Sequence, residues 1–238
     1  MDDSELIRMK DKLDRDLDPS CYPDSRLSIG ENQIEIINSE ASGLSLDFGV
    51  RQYNDLVKWG ARVTDCEIRL HHPKKSGFYC STLERCRLIA MQPQVDPNWV
   101  NVHWLDCQLE GVFSSCSFGR ISKNRCFQAP LTRMERCDFS KARLDACPFL
   151  NINPEGLIWP ELPHLIVHEP WRHAAEILAI HRDQPLQNFL QSLTLADDSL
   201  SALALSLEWI RGRGWLSESD IERFIATCRE LDFVTLNF

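Results

Sequence analysis

The chain has 238 residues, 43% of them hydrophobic and 26% charged, with a formal net charge of −9. That balance is ordinary for a globular protein with room for one large or two modest domains. No run approaches ~18 consecutive apolar residues, which argues against a transmembrane helix. The acidic, amphipathic start MDDSELIRMKDKLDRD lacks the basic n-region and apolar core of a secretory signal, so a cytoplasmic protein is expected.

Charge is uneven along the chain. Residues 1–60 carry a net −6, residues 61–150 a net +4 and residues 151–238 a net −7, with no lysine after Lys141. A basic middle between acidic ends suggests three regions. They are an N-terminal helix-and-strand cap over 1–60, a repeat over 61–154, and a linker with a helical domain over 155–238.

Residues 3–17 are predicted as a helix, with Leu6, Met9, Leu13 and Leu17 on one stripe, a cap from Asp2, Asp3 or Ser4, and a stop at Asp18-Pro19. Ile34, Ile36, Leu44, Leu46 and Phe48 alternate, which reads as two strands and a turn over 33–48. These strands either begin the repeat or cover its open edge.

The middle region repeats itself. Cys66-Glu-Ile68, Cys86-Arg-Leu88, Cys107-Gln-Leu109, Cys116-Ser-Phe118, Cys137-Asp-Phe139, Ala142-Arg-Leu144 and Cys147-Pro-Phe149 each run small, polar, large apolar. Related positions recur about twenty residues on. One column reads Cys66, Cys86, Cys107, Cys126, Cys147, and a second Phe78, Trp99, Phe118, Phe139. A third reads Val63, Leu83, Trp104, Lys123, Leu144, and a fourth Pro73, Pro93, Phe113, Met134. Their one-residue slips keep step, as expected when about twenty residues make one coil of a solenoid. The segment MQPQVDPNWV is expected to hold a loop leaving the coil.

These blocks resemble the pentapeptide-repeat family, whose consensus sets a small residue two places before a central Leu or Phe. The resemblance implies a right-handed, quadrilateral β-helix over residues 61–154 with one pentapeptide per side, followed by a C-terminal α-helical region. The family's gyrase inhibitors are acidic rods that imitate DNA, and the net +4 of this repeat departs from that pattern.

After a proline-rich transition over 151–170, four helices are predicted at 170–182, 185–195, 198–211 and 217–231. The third places Leu200, Leu203, Leu207 and Ile210 on one face. The fourth opens on a capping-box variant, Ser217-Glu-Ser-Asp220, and turns Ile221, Phe224, Ile225 and Cys228 inward. The final FVTLNF is read as a short strand or a docked tail.

No motif for catalysis or nucleotide binding is present: there is no G-x-S-x-G, P-loop or G-x-G-x-x-G. The ten cysteines lack the C-x-x-C pairs of a zinc site, the nearest group being His71, His72, Cys80 and Cys86, and they are read as core thiols. His164, His168, His173 and His181 cluster in sequence, and with His173 and His181 two turns apart on one helix face they are read as a helix surface and not as a site. Arg211 and Arg213 are read as complementing a helix end. No metal, cofactor, catalytic residue or membrane partner is expected.

The candidate binding residues are outward-facing bases of the repeat: Arg62, Arg85, Arg87, Arg120, Arg125, Lys141 and Arg143. Arg85 and Arg125 are expected in one column, and Arg120 and Lys141 in another. The leading expectation is a non-enzymatic protein-binding module, an adaptor, inhibitor or immunity-type factor, with a homodimer possible. The alternative is nucleic-acid association through the basic columns.

Overall fold

The computed structural model describes residues 25–31, 33–37, 39–50, 53–58, 60–73, 75–119, 132–161, 163–179 and 199–237. The expected helices at 3–17 and 185–195 lie outside these, as do Lys74, Arg120, Lys123, Arg125, Cys126, Gln128 and His181.

The chain is a parallel β-solenoid followed by an antiparallel sheet with short helices. Four short strands make up one coil. Ser76–Tyr79, Thr82–Glu84, Arg87–Ala90 and Gln94–Val95 follow one another, and Asn98–Val100 then lies in parallel register on Ser76–Tyr79. On the first side β1 (Arg26–Ile29) and β2 (Ile34–Ile37) lead into a parallel stack in which Ile36, Val57, Phe78 and Trp99 lie in register. The second side stacks Ala41, Val63, Leu83, Trp104 and Met134. The third stacks Leu46, Ile68, Leu88 and Leu109, and the fourth Gln94, Phe113 and Leu144. Residues 33–48 therefore begin the coil.

Most of the bends between strands place a residue in the left-handed region, which β dihedrals do not supply. Asp96, Asn101, Asp106 and Gly111 have positive φ at five-residue intervals, as do Ala146, Asn151 and Gly156. The residue immediately before each repeat cysteine, at 65, 85, 106, 115, 136 and 146, is one of these. The bend turns two carbonyls toward the coil interior, and the thiol meets them. Cys107 Sγ donates to Leu105 O and to Leu83 O of the preceding coil, both at 3.4 Å, and Cys86, Cys116, Cys137 and Cys147 repeat the arrangement. The small position thus takes a compact apolar atom that can also donate.

Inside, large aromatics stack through the coils. Phe78 and Trp99 lie 6.0 Å apart, Trp99 and Phe118 5.6 Å, and Phe118 and Phe149 4.9 Å. All are 2% exposed or less. At about 1.5–3 kcal/mol for each large side chain buried, this column is a main source of stability. At the first coil Asp55 is fully buried. Its carboxylate accepts from Ile34 N at 2.6 Å and Gly49 N at 2.7 Å, tying three parts of the coil together.

Three of the expected columns hold as far as Leu109 and then shift, whereas the fourth does not hold: Gln94, not Pro93, pairs with Phe113, and Met134 stacks on Trp104 of the second side. Trp104 pairs with Met134, not with a residue twenty further on, so the cysteine after Cys107 in the column is Cys137. Likewise Phe118 pairs with Phe149 and Phe113 with Leu144. One coil is thus about ten residues longer than its neighbours. The segment MQPQVDPNWV stays in the coil: Gln94 and Trp99 both face inward and pair with neighbouring coils.

At the far end the polarity changes. Cys147–Leu150 lies parallel to Phe118–Gly119 on one edge and antiparallel to Leu200–Ser206 on the other, and His164–His168 and Val234–Asn237 complete the sheet. Residues 200–206 are therefore strand, where the sequence predicts helix. The run LSALALS satisfies both periods, and the strands on either side, which need partners for their backbone groups, decide between them. Helix follows only from Leu207, capped by Ser206, whose hydroxyl accepts from Trp209 N at 3.0 Å. With α1 (Ala174–Ala179) and α2 (Leu207–Gly212) short, the one long helix among the described residues is α3 (Glu218–Cys228), which has the expected Ser217–Asp220 capping box and buries Ile221, Phe224 and Cys228. The tail is the strand Val234–Asn237.

Candidate interaction surface

Arg62, Arg85 and Arg87 stand on the second and third sides, Lys141 at the bend into the fourth and Arg143 on the fourth side beside Val112, and each described base faces an acid. Arg85 makes a bidentate pair with Asp65 at 2.7 and 2.9 Å and a further contact with Glu84. Arg62 reaches Glu84 at 3.0 Å. Arg87 is held between Glu110, at 2.8 and 2.7 Å, and Glu67, at 2.8 Å. Lys141 lies 3.5 Å from Glu110. Arg143 pairs with Asp145 at 3.1 Å and Glu208 at 2.6 Å, across the junction with the C-terminal sheet.

The column that holds Arg85 does not continue as expected. It runs Asp65, Arg85, Asp106, Arg136, and Arg136 clasps Asp106 at 2.6 and 2.7 Å. These four are corner residues with φ between 50° and 54°, so the strained positions carry charges of alternating sign. Stacked like charges would sit one strand spacing apart, about 4.8 Å, and repel. The arginines hold their partners below the usual carboxylate range: Arg85 acts on Asp65, Arg136 on Asp106, Arg87 on Glu110 and Arg133 on Glu135, each chiefly by hydrogen bonding. The acids facing Arg62, Arg85 and Arg87 lie one coil away, about twenty residues along the chain, whereas Arg143 takes Asp145 from its own strand and Glu208 from the C-terminal region.

The fourth side differs. Val50, Tyr53, Met91 and Val95 lie on it, each 45–55% exposed. Val50 and Tyr53 belong to the first coil, between Phe48 and Asp55; Met91 and Val95 lie two coils on, and Val95 pairs with Ser114. These residues do not follow the repeat's small–polar–large pattern, so the repeat signal passes over them.

The histidines and cysteines are spent on structure. His164 is fully buried and its Nε2 accepts from Leu144 N at 2.9 Å. His173 stacks on Phe233 at 3.9 Å and contacts Glu176, and His168 contacts Thr235 at 3.0 Å. Burial pushes the Cys137 thiol up to about 11 and the Cys228 thiol up to about 12. The described cysteines are free, and no metal-holding group occurs among the described residues. A pocket of about 270 Å³ at the junction is lined by Arg143, His164, Ser206 and Glu208. Beside it Ser206 donates to Asp145 and not to an imidazole, so the serine is used as a cap and a tie. No helix among the described residues is long and apolar enough to cross a membrane.

Comparison with protein-family models, with curated proteins and with solved structures gives no match.

Proposed function

We propose that this chain is a non-enzymatic protein-binding module, an adaptor, inhibitor or immunity-type factor, that meets its partner with the fourth side of its coils. The observation that carries this reading is that Val50, Tyr53, Met91 and Val95, all about half exposed, recur on the fourth side of the first and third coils, while the outward bases of the second and third sides are ion-paired. Half-exposed apolar side chains grouped on one face of a rigid scaffold are a common mark of a protein-binding surface. The five-residue spacing of the corners supports reading the coil as a degenerate, four-sided pentapeptide-repeat β-helix; the right hand follows from that family resemblance.

Nucleic-acid binding through the basic columns is the weaker reading, since phosphates would have to displace carboxylates already in bidentate contact with Arg85, Arg87 and Arg136. A photo-crosslinking residue at position 91 or 95 is expected to yield one discrete protein adduct in native cells, lost when Val95→Asp is added. The same probe at position 84 or 110 is expected to yield none. Labelled duplex and single-stranded oligonucleotides are expected to stay free at about 50 mM salt. Adducts only from positions 84 and 110, or salt-sensitive oligonucleotide binding, would sink this reading.

A further inference from the structure

We infer that two copies of the chain associate head to head, by antiparallel pairing of β1 with β1 of a second copy, the strands crossing at Ser28. The inference rests on a surface separate from the fourth side. β1 is the terminal strand of the first side, and among the described residues no strand lies on its outer edge. All four of its residues are exposed. Its register on β2 sets Leu27 opposite Ile36 and Ile29 opposite Ile34. Opposed residues share a face of the sheet. Ile34 and Ile36 are fully buried, while Leu27 and Ile29 are 52% and 48% exposed. The apolar column of Trp99, Phe78, Val57 and Ile36 therefore continues one rung past the coil and ends half in solvent. At the other end of the solenoid Leu200–Ser206 pairs with Cys147–Leu150 and covers that edge.

Symmetry selects the occupant and the register. An antiparallel pair of identical strands has its two-fold axis perpendicular to the sheet. Such an axis preserves faces, so the strands must cross at a residue and not between two. Crossing at Ser28 sets Leu27 against Ile29 of the partner subunit twice, once on each side of the axis. Crossing at Leu27 would oppose Ile29 to Ser25, and crossing at Ile29 would oppose Leu27 to Glu31. The one base in β1, Arg26, is held by Glu35 at 2.9 Å, so the strand brings no unpaired cation to the contact. The pairing joins the two first sides into one continuous sheet. Four residues a side make a small interface, which places the affinity in the weak, transient class. Each copy carries −9, so salt is expected to tighten the dimer.

Sedimentation equilibrium of the full chain, over roughly 1–200 µM, is expected to show a monomer–dimer equilibrium appropriate to a small interface. Ile29→Asp is expected to weaken it by roughly 100-fold or more, by setting a charge in the apolar strip on both sides of the axis, with the far-UV spectrum unchanged because the residue is exposed. The register has its own readout. Ser28→Cys places two thiols directly opposite on the axis, within disulfide range, and is expected to give a covalent dimer on mild oxidation. Leu27→Cys and the unmodified chain are expected not to. A monomer at every concentration, a dimer indifferent to Ile29→Asp, or failure of Ser28→Cys to cross-link would each overturn the inference.

Discussion

Cysteine is used in this chain as a corner residue. Each repeat thiol follows a backbone turn with positive φ and sits against the carbonyls that the turn and the preceding coil direct inward. Alanine would fill part of the space and leave those carbonyls unmet. Serine would keep a donor on a shorter bond. Cys107→Ala is therefore expected to cost about 1–2 kcal/mol in denaturant unfolding, and Cys107→Ser less. The reverse order would show that the thiol acts only as a compact apolar group.

Among the elements, the charged corner column is the feature that sets one coil on the next. Asp65, Arg85, Asp106 and Arg136 alternate in sign and lie in successive coils. Asp106→Arg stacks three arginines and is expected to lower the unfolding midpoint, while adding Arg136→Asp restores the final pair and recovers part of the loss. The coupling in that double-mutant cycle is expected to be under about 1 kcal/mol, because the pairs are solvated, and to shrink with salt. No coupling at low salt would remove the column's role in register. Much of this element was legible in the sequence: the five-residue blocks and the coil of about twenty residues hold from Ala41 to Leu109. Beyond Leu109 the sequence misleads, because Cys126 and Leu144 stand at spacings that imitate the repeat while the backbone pairs Trp104 with Met134. The run LSALALS misleads for a different reason: its local pattern fits helix and strand alike, and its neighbours in space decide. The candidate bases are legible in the sequence, but the carboxylates that face Arg62, Arg85, Arg87 and Lys141 lie a coil away along the chain, so no local pattern marks the pairs.

For the whole molecule, these pairs tie stability to pH. Asp65, Asp106, Glu110 and Glu135 are held below their ordinary values of 3.8 for Asp and 4.5 for Glu by the arginines beside them. A depressed folded value stabilises above the unfolded value and is lost as pH falls through the folded one. Unfolding midpoints measured from pH 7 to pH 2.5 are thus expected to hold steady down to about 4.5 and then to fall, with a shallower fall in 1 M salt, where the pairs are already screened. A decline that starts near neutrality would assign the acid sensitivity to other groups.

The alternating column has one more consequence, for how such a rod can lengthen. Duplicating a single coil would set aspartate on aspartate or arginine on arginine, whereas duplicating two adjacent coils preserves the order Asp65, Arg85, Asp106, Arg136. Growth of this solenoid by internal duplication therefore obeys a parity rule, and the coils are expected to be added or deleted in pairs.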